Sequence, residues 1–191
     1  MKLDPLLAKR IRLVAFDVDG VMTDAGVYMG MAGTERVEMK KFSTQDSIGI
    51  KLLMATGIEV ALVSGRVSEA TSVRASELGI DEVVQVPDAR KIPPFKAMLE
   101  RLGLKFDEVA FVGDDLPDIP VMKLVALPVA VGNAVDEVRK SAMYMTQRCG
   151  GDGAVREFAE ALLRARDEWD DAVNRYVFER GDSPPEARNV T

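Results

Sequence analysis

Short apolar strands alternating with helical segments predict an α/β fold: a Rossmann-like, doubly wound parallel sheet with helices on both faces. Six runs rich in β-branched residues, each four to six residues long, read as buried strands: Ile11–Phe16, Ile58–Val63, Glu82–Val86, Val109–Val112, Leu127–Val131 and Met143–Thr146. Helical segments separate most of them, and several stop at a glycine. The 47% apolar and 29% charged content is that of an ordinary water-soluble domain.

After the first strand, Val27–Phe42 (VYMGMAGTERVEMKKF) mostly alternates about central glycines and predicts a projecting β-hairpin. A helix follows over Asp46–Thr56, with Asp46 or Ser47 as its N-cap and Gly57 just past its end. Val67–Leu78 stops at Gly79, and Pro93–Leu102 opens on prolines and stops at Gly103. Short helices are expected at Asp118–Leu124 and Ala134–Ser141, and one longer helix at Ala154–Trp169. These elements make one domain over residues 1–170. Residues 171–191 form a tail whose end, Arg180–Thr191, is polar, proline-containing and expected to be disordered.

Composition excludes several functions. A net charge of −6 argues against a general nucleic-acid binder, and an anionic substrate needs a local cation cluster or a metal to hold it. No apolar run approaches the roughly 20 residues that span a bilayer. The opening MKLDPLLAKRIRLVAFDVDG lacks the pattern of a signal peptide, so a cytoplasmic location is expected. The chain has no histidine and a single cysteine, Cys149, expected to be a packing residue. Serine–histidine and cysteine–histidine catalysis are therefore absent, and proton transfer falls to Asp, Glu, Lys or Tyr.

In open parallel sheets, sites form at the carboxyl ends of the strands. The first strand leads into Asp17, Asp19 and Gly20; the second into Ser64, Gly65 and Arg66; the third is followed by Lys91; the fourth leads into Gly113, Asp114 and Asp115, with Asp118 one turn later. This set describes a hard-cation site beside an anion site. Each piece alone has a plainer reading: a solvated acidic turn, a helix N-cap at Ser64, a surface lysine, a capping turn in GDDLPD. DVDGVMTD lacks both the further acidic repeat and the distal glutamate of a calcium loop. Four such pieces in this order, each beside a strand end, favour a functional site.

DVDGVMTD, the serine of VSGR, the following lysine and GDDLPD resemble the four motifs of the haloacid dehalogenase-like phosphatases. The likeness runs from about Ile11 to Trp169. With VYMGMAGTERVEMKKF, VGDDLPDIPVMK and GGDGAVRE it points to the branch acting on 3-deoxy-D-manno-octulosonate 8-phosphate and sialic-acid 9-phosphates. The resemblance implies a Mg²⁺-dependent phosphatase, with a role in lipopolysaccharide biosynthesis. Asp17 is then the nucleophile and Asp19 the general acid and base. Mg²⁺ is held by the Asp17 carboxylate, the Asp19 carbonyl and Asp114, with Asp115 and Asp118 orienting its waters or Lys91. Ser64 and Lys91 bind the phosphoryl group, with Gly65 and Arg66 lining the substrate site.

Forty-four residues separate Asp19 from Ser64, 26 separate Ser64 from Lys91 and 22 separate Lys91 from Asp114, so no cap domain fits in any gap. The resemblance implies that a homotetramer closes the site instead, with Val27, Met29 and Met31 at a hairpin contact. GGDGAVRE lacks the lysine and spacing of a phosphate-binding loop, so a mobile segment is the expectation there. Gln45, Ser47 and Asp152 depart from the branch's pattern at recognition positions. Two other readings stay open: an accessory subunit of a larger complex, like the small subunit of phenylphosphate carboxylase, and a receiver domain, which carries its phosphate-accepting aspartate on the third strand instead.

Overall fold

The computed structural model describes residues 2–181. Its strands are β1 (Leu13–Phe16), β2 (Tyr28–Ala32), β3 (Glu35–Met39), β4 (Glu59–Ser64), β5 (Glu82–Gln85), β6 (Val109–Gly113), β7 (Leu127–Ala130) and β8 (Tyr144–Met145). All except β2 and β3 form one parallel sheet in the order β5-β4-β1-β6-β7-β8. Strand β1 lies at its centre and buries every residue, as a strand covered on both faces must. Its neighbours β4 and β6 run in register with it, Phe16 opposite Leu62 on one side and Val112 on the other. This aligns the carboxyl ends of three strands and sets the topological switch point beside β1.

The helices are α1 (Pro5–Arg10), α2 (Thr44–Ala55), α3 (Glu69–Leu78), α4 (Ile92–Leu102), α5 (Ile119–Met122), α6 (Asp136–Ser141), α7 (Ala154–Ala165) and α8 (Trp169–Phe178). Helix α2 packs on α3, α7 and α8, while α5 packs on α6. Right-handed crossovers running opposite ways from β1 place these two groups on opposite faces. On the α4 side, Phe95 meets Phe106 and Phe111 edge-on, with ring centroids 5.9 and 6.1 Å apart, and anchors α4 beneath β6.

The hairpin stands off the sheet. Strands β2 and β3 pair from Tyr28–Met39 to Ala32–Glu35 around a two-residue turn, and a bridge between Thr23 and Phe42 closes its base. The segments between the motifs are filled by this hairpin, α2, α3 and α4, and no cap domain is inserted among the described residues.

Several expectations are corrected. Helix α2 is capped by Ser43, whose Oγ accepts the Asp46 N–H at 3.4 Å, rather than by Asp46 or Ser47. The expected single helix Ala154–Trp169 is two helices, broken where Asp167 takes a left-handed φ of 63°. The domain does not end at 170: α8 continues to Phe178 and buries Trp169 and Ala172. Trp169 sits under the Arg156 and Arg164 guanidinium groups, 5.0 and 5.1 Å from its ring centroid, which gives the second helix its anchor. Helix α1 was not anticipated; Arg166 ties it down by donating to Ala8 O and Ile11 O at 3.0 and 2.9 Å. Cys149 is exposed and not a packing residue. Most of the tail expected to be disordered lies outside the described residues. No helix among the described residues is long and apolar enough to cross a membrane.

Candidate active site

Asp17 follows the last residue of β1, and its N–H donates to Val112 O on β6 at 2.9 Å, so the switch point itself fixes its backbone. The chain then makes one tight turn over Val18–Met22, closed by Thr23 N–H donating to Val18 O at 3.1 Å. Asp19 stays outside helical geometry within it, and Gly20 takes a φ of 103°. A Cβ on Gly20 would lie 2.0 Å from Asp114 Oδ2, so the position needs glycine for space as well as for conformation. The two aspartates diverge: Asp17 turns to Lys91, and Asp19 toward the hairpin.

Lys91 is the buried cation of the site. Its Nζ donates to Asp17 Oδ1 and to Asp118 Oδ1, both at 2.6 Å. It enters from the loop after β5, where Ala89 holds a φ of 58° and Lys91 N–H donates to Ala89 O at 2.9 Å. A left-handed alanine costs roughly 1–2 kcal/mol, and here the strained turn aims a lysine inward. Asp118 is fully engaged: Oδ1 takes Lys91, while Oδ2 accepts the N–H groups of Asp114 and Asp115 at 2.9 and 3.3 Å. Asp115 turns outward and caps its own loop through the Leu116 N–H at 2.7 Å.

Carboxylate oxygens of Asp17, Asp114 and Asp118 lie within 4.8 Å of one another. Asp114 Oδ1 is buried with no hydrogen-bond partner. Burial, then the charge of Asp118, push the Asp17 carboxyl up to about 7 despite Lys91. Burial, then Asp17, Asp118 and Asp115, push Asp114 up to about 8. Burial pulls Lys91 down, but its two carboxylate partners outweigh this and hold it above the ordinary lysine value. One ammonium thus faces three closely spaced carboxylates, and the partnerless Asp114 oxygen is a donor suited to a cation. The all-oxygen donor set fits a hard divalent ion. Both Asp118 oxygens already accept hydrogen bonds, so Asp114, with its partnerless oxygen, and Asp17 are the less engaged side chains for holding one.

Ser64 ends β4, and its Oγ accepts the Arg66 N–H at 3.1 Å, leaving the hydroxyl hydrogen free to donate. Ser64 does not cap α3, which begins after Ser68. A Cβ on Gly65 would stand 3.1 Å from Ala89 Cβ and 3.6 Å from Lys91 Cε, so a small residue lets the two loops meet. Arg66 donates to Glu38 Oε2 at 3.1 Å and lies 3.9 Å from Asp19 Oδ2, with its side chain 44% exposed.

Two hairpin residues that the sequence analysis did not single out join the site. From the hairpin, Lys40 Nζ reaches to 2.8 Å from Asp19 Oδ1, and Glu38 accepts from Arg66 and from Ser68 Oγ. Hydrogen bonding to Ser68, aided by the charges of Arg66 and Lys40, holds the Glu38 carboxyl below its usual value against the opposing effect of burial. The GGDGAVRE segment is a clamp and not a mobile stretch. Gly151 N–H donates to Val21 O at 3.0 Å, and a Cβ on Gly150 would fall 1.7 Å from Gly20 O. Buried Asp46 then accepts the Gly153 and Arg156 N–H groups at 3.2 and 2.8 Å, capping the start of α7.

A family model for haloacid dehalogenase-like hydrolases matches residues 86–158, and curated relatives 41% identical cover most of the chain. The chain belongs to the haloacid dehalogenase-like hydrolases and is a phosphatase. Those relatives are more particular than the class. The 3-deoxy-D-manno-octulosonate 8-phosphate phosphatase KdsC of Escherichia coli strain K12 is 41% identical over 170 residues, 89% of this chain and 88% of its own. The crystal structure of the Yersinia pestis phosphatase of that name superposes with a TM-score of 0.81 at 38% identity, covering 87% of this chain and 88% of that one. The Moraxella catarrhalis phosphatase, solved with magnesium, phosphate and KDO, gives 0.82 at 33% identity over 90% of this chain and 97% of that one.

Proposed function

We propose that this chain hydrolyses a sugar-acid phosphate monoester, 3-deoxy-D-manno-octulosonate 8-phosphate or a close analogue, through an aspartyl-phosphate on Asp17 in a Mg²⁺-dependent reaction. The observation that carries the reading is the convergence of Asp17, Lys91, Asp118 and Asp114 at one strand-end cluster, with one carboxylate oxygen left orphaned. The identity to a phosphatase of that name, and a similar structure solved with magnesium, phosphate and KDO, support the choice of substrate and ion. Mg²⁺ would be held by the Asp17 and Asp114 carboxylates and the Asp19 backbone carbonyl, and when bound it supplies charge neutralisation to the phosphoryl group.

The residues divide the remaining work. An Asp17 oxygen attacks phosphorus, and the bond from phosphorus to the ester oxygen breaks. Asp19, protonated at that moment, gives its proton to the departing alkoxide, a contribution typically worth about 10²- to 10⁴-fold. In the second half Asp19 takes a proton from water, the water oxygen bonds to phosphorus, and Asp17 is released as a carboxylate. Ester and water become alcohol and inorganic phosphate. The Ser64 hydroxyl and the Lys91 ammonium donate to the phosphoryl oxygens, and Asp118 keeps Lys91 in place. With no cap domain among the described residues, a homotetramer would let a neighbour's surface close the mouth of the site. Tyr28, Met29, Met31 and Met39 leave the hairpin with an exposed apolar surface suited to such a contact.

A phosphate-release screen across sugar-acid phosphates with Mg²⁺ tests the assignment. Turnover is expected on 3-deoxy-D-manno-octulosonate 8-phosphate well above that on simple sugar phosphates. Equal, slow release from all of them would refute the substrate class while leaving the phosphatase intact.

A further inference from the structure

The hairpin reaches into the reaction centre, and its contact there is specific. Strand alternation sends Glu38 and Lys40 to the same side of β3 and its continuation. Glu38 accepts from Arg66 NH2 at 3.1 Å and from Ser68 Oγ at 2.7 Å, fastening the hairpin to the loop after β4. Lys40 lies deeper, its side chain wholly buried, with Nζ 2.8 Å from Asp19 Oδ1, 3.7 Å from Glu38 Oε1 and 3.4 Å from Thr71 Oγ1 on α3. Among the described residues, one cation besides this ammonium approaches Asp19: Arg66, at 3.9 Å. Neither Asp19 oxygen has a hydrogen-bond partner among the described residues. The carboxylate sits on a one-turn loop with a glycine after it, so its own backbone leaves it free to rotate.

We infer that Lys40 is the positioning residue for Asp19: it holds Oδ1 by charge, fixes the rotamer of the carboxylate and leaves Oδ2 to pass the proton. The contacts of Lys40 Nζ are to Asp19, Glu38 and Thr71, and Asp17 is paired instead with Lys91, so Lys40 acts through Asp19. A buried ammonium at this point is otherwise hard to account for, because an unpaired one carries a heavy desolvation cost. The three groups around Nζ come from the nucleophile loop, the hairpin and α3, so the general acid is in register only when the hairpin is seated. The inference rests on the acid–base assignment of Asp19 made above.

The leaving group supplies the test. An alkyl phosphate needs its departing oxygen protonated, whereas 4-nitrophenyl phosphate releases a stable phenolate and needs little help. Kinetics of Lys40→Met, Lys40→Arg and Asp19→Asn are measured with Mg²⁺ on 3-deoxy-D-manno-octulosonate 8-phosphate and on 4-nitrophenyl phosphate. Lys40→Met is expected to lower kcat on the alkyl ester roughly 10- to 100-fold, the scale of a misplaced catalytic group, with KM little changed. The loss on the aryl ester is expected to be several times smaller, and Lys40→Arg to recover part of it. Equal losses on both esters, or a loss carried by KM, overturn the assignment of Lys40. If Asp19→Asn shows the leaving-group dependence and Lys40→Met does not, Lys40 alone is refuted; if Asp19→Asn lacks it, the acid–base reading of Asp19 falls and the inference with it. Should Lys40→Met fail to fold, Thr71→Val removes a neighbour of Nζ and must show the same pattern at smaller amplitude for the inference to stand.

Discussion

Replacing Lys91 by methionine keeps most of the side-chain volume and removes the ammonium that offsets three carboxylates. Nζ makes two contacts of 2.6 Å, to Asp17 and Asp118, and all three side chains are almost wholly buried. Each charge pair at about 4 Å is worth about 4 kcal/mol at an effective dielectric of 20, before the desolvation of the ammonium is subtracted. Breaking such a buried pair from one side costs about 3–5 kcal/mol net. For a domain of this size that is a fall in Tm of roughly 6–20 °C. The loss depends on pH with a definite sign. Asp17 and Asp114 titrate near 7 and 8 when folded, well above their unfolded values. Between the unfolded and folded values the native state holds more protons, so metal-free stability falls as pH rises through that window. At about pH 5.5 both carboxyls are protonated and the variant is spared part of the repulsion; at about pH 8.5 it is not. Scanning calorimetry in chelator is therefore expected to show a larger deficit at the higher pH. Millimolar Mg²⁺ should recover part of it, because an ion that binds only the native state stabilises it by mass action. A variant melting within about 2 °C of the parent at the higher pH would mean that Lys91 does not carry the charge balance of the cluster.

Three further outcomes follow from the same geometry. Divalent-ion binding should strengthen as pH rises through about 7–8 and release protons, since Asp17 and Asp114 must ionise to ligate; calorimetry in two buffers of different ionisation enthalpy reads this, and identical heats would contradict it. Gly150→Ala, outside the four motifs, places a Cβ 1.7 Å from Gly20 O and is expected to cost at least the roughly 1–3 kcal/mol of an overpacked core and to lower kcat by moving the nucleophile loop; unchanged kinetics and Tm would show that the clamp is not tight. Asp46→Ala leaves the Gly153 and Arg156 N–H groups without an acceptor and is expected to destabilise by roughly 1–3 kcal/mol in urea unfolding. Burial raises the Asp46 carboxyl despite those bonds, so part of that loss should be returned at high pH, where the parent bears the cost of a buried charge.

Much of this was legible along the chain because it depends on short-range patterning. Six apolar β-branched runs announced six parallel strands, and residues at their carboxyl ends meet at one edge whatever the details between. Asp17, Ser64, Lys91 and Asp114 were visible for that reason. Helix limits were less so: Ser43, not Asp46, caps α2, because Asp46 is used by a helix more than a hundred residues away. The turn at Asp167 carries no glycine or proline to announce it, so two helices read as one. Nothing along the chain sets Lys40 apart from Lys41; only the fold shows that alternation buries Lys40 and leaves Lys41 exposed. The glycines of GGDG suggested freedom by composition, yet Gly150 and Gly151 are small because Gly20, Thr23 and Asp24 lie against them. Close approach between distant segments leaves no local periodicity to read.

The proposed reaction requires a covalent bond from phosphorus to the Asp17 carboxylate. Enzyme mixed with 3-deoxy-D-manno-octulosonate 8-phosphate and Mg²⁺, quenched during turnover and treated with borohydride, should yield a peptide in which Asp17 has been reduced to homoserine. The Asp17→Asn enzyme should yield none. Turnover by the parent with an unmodified Asp17, or reduction at another aspartate, would contradict it.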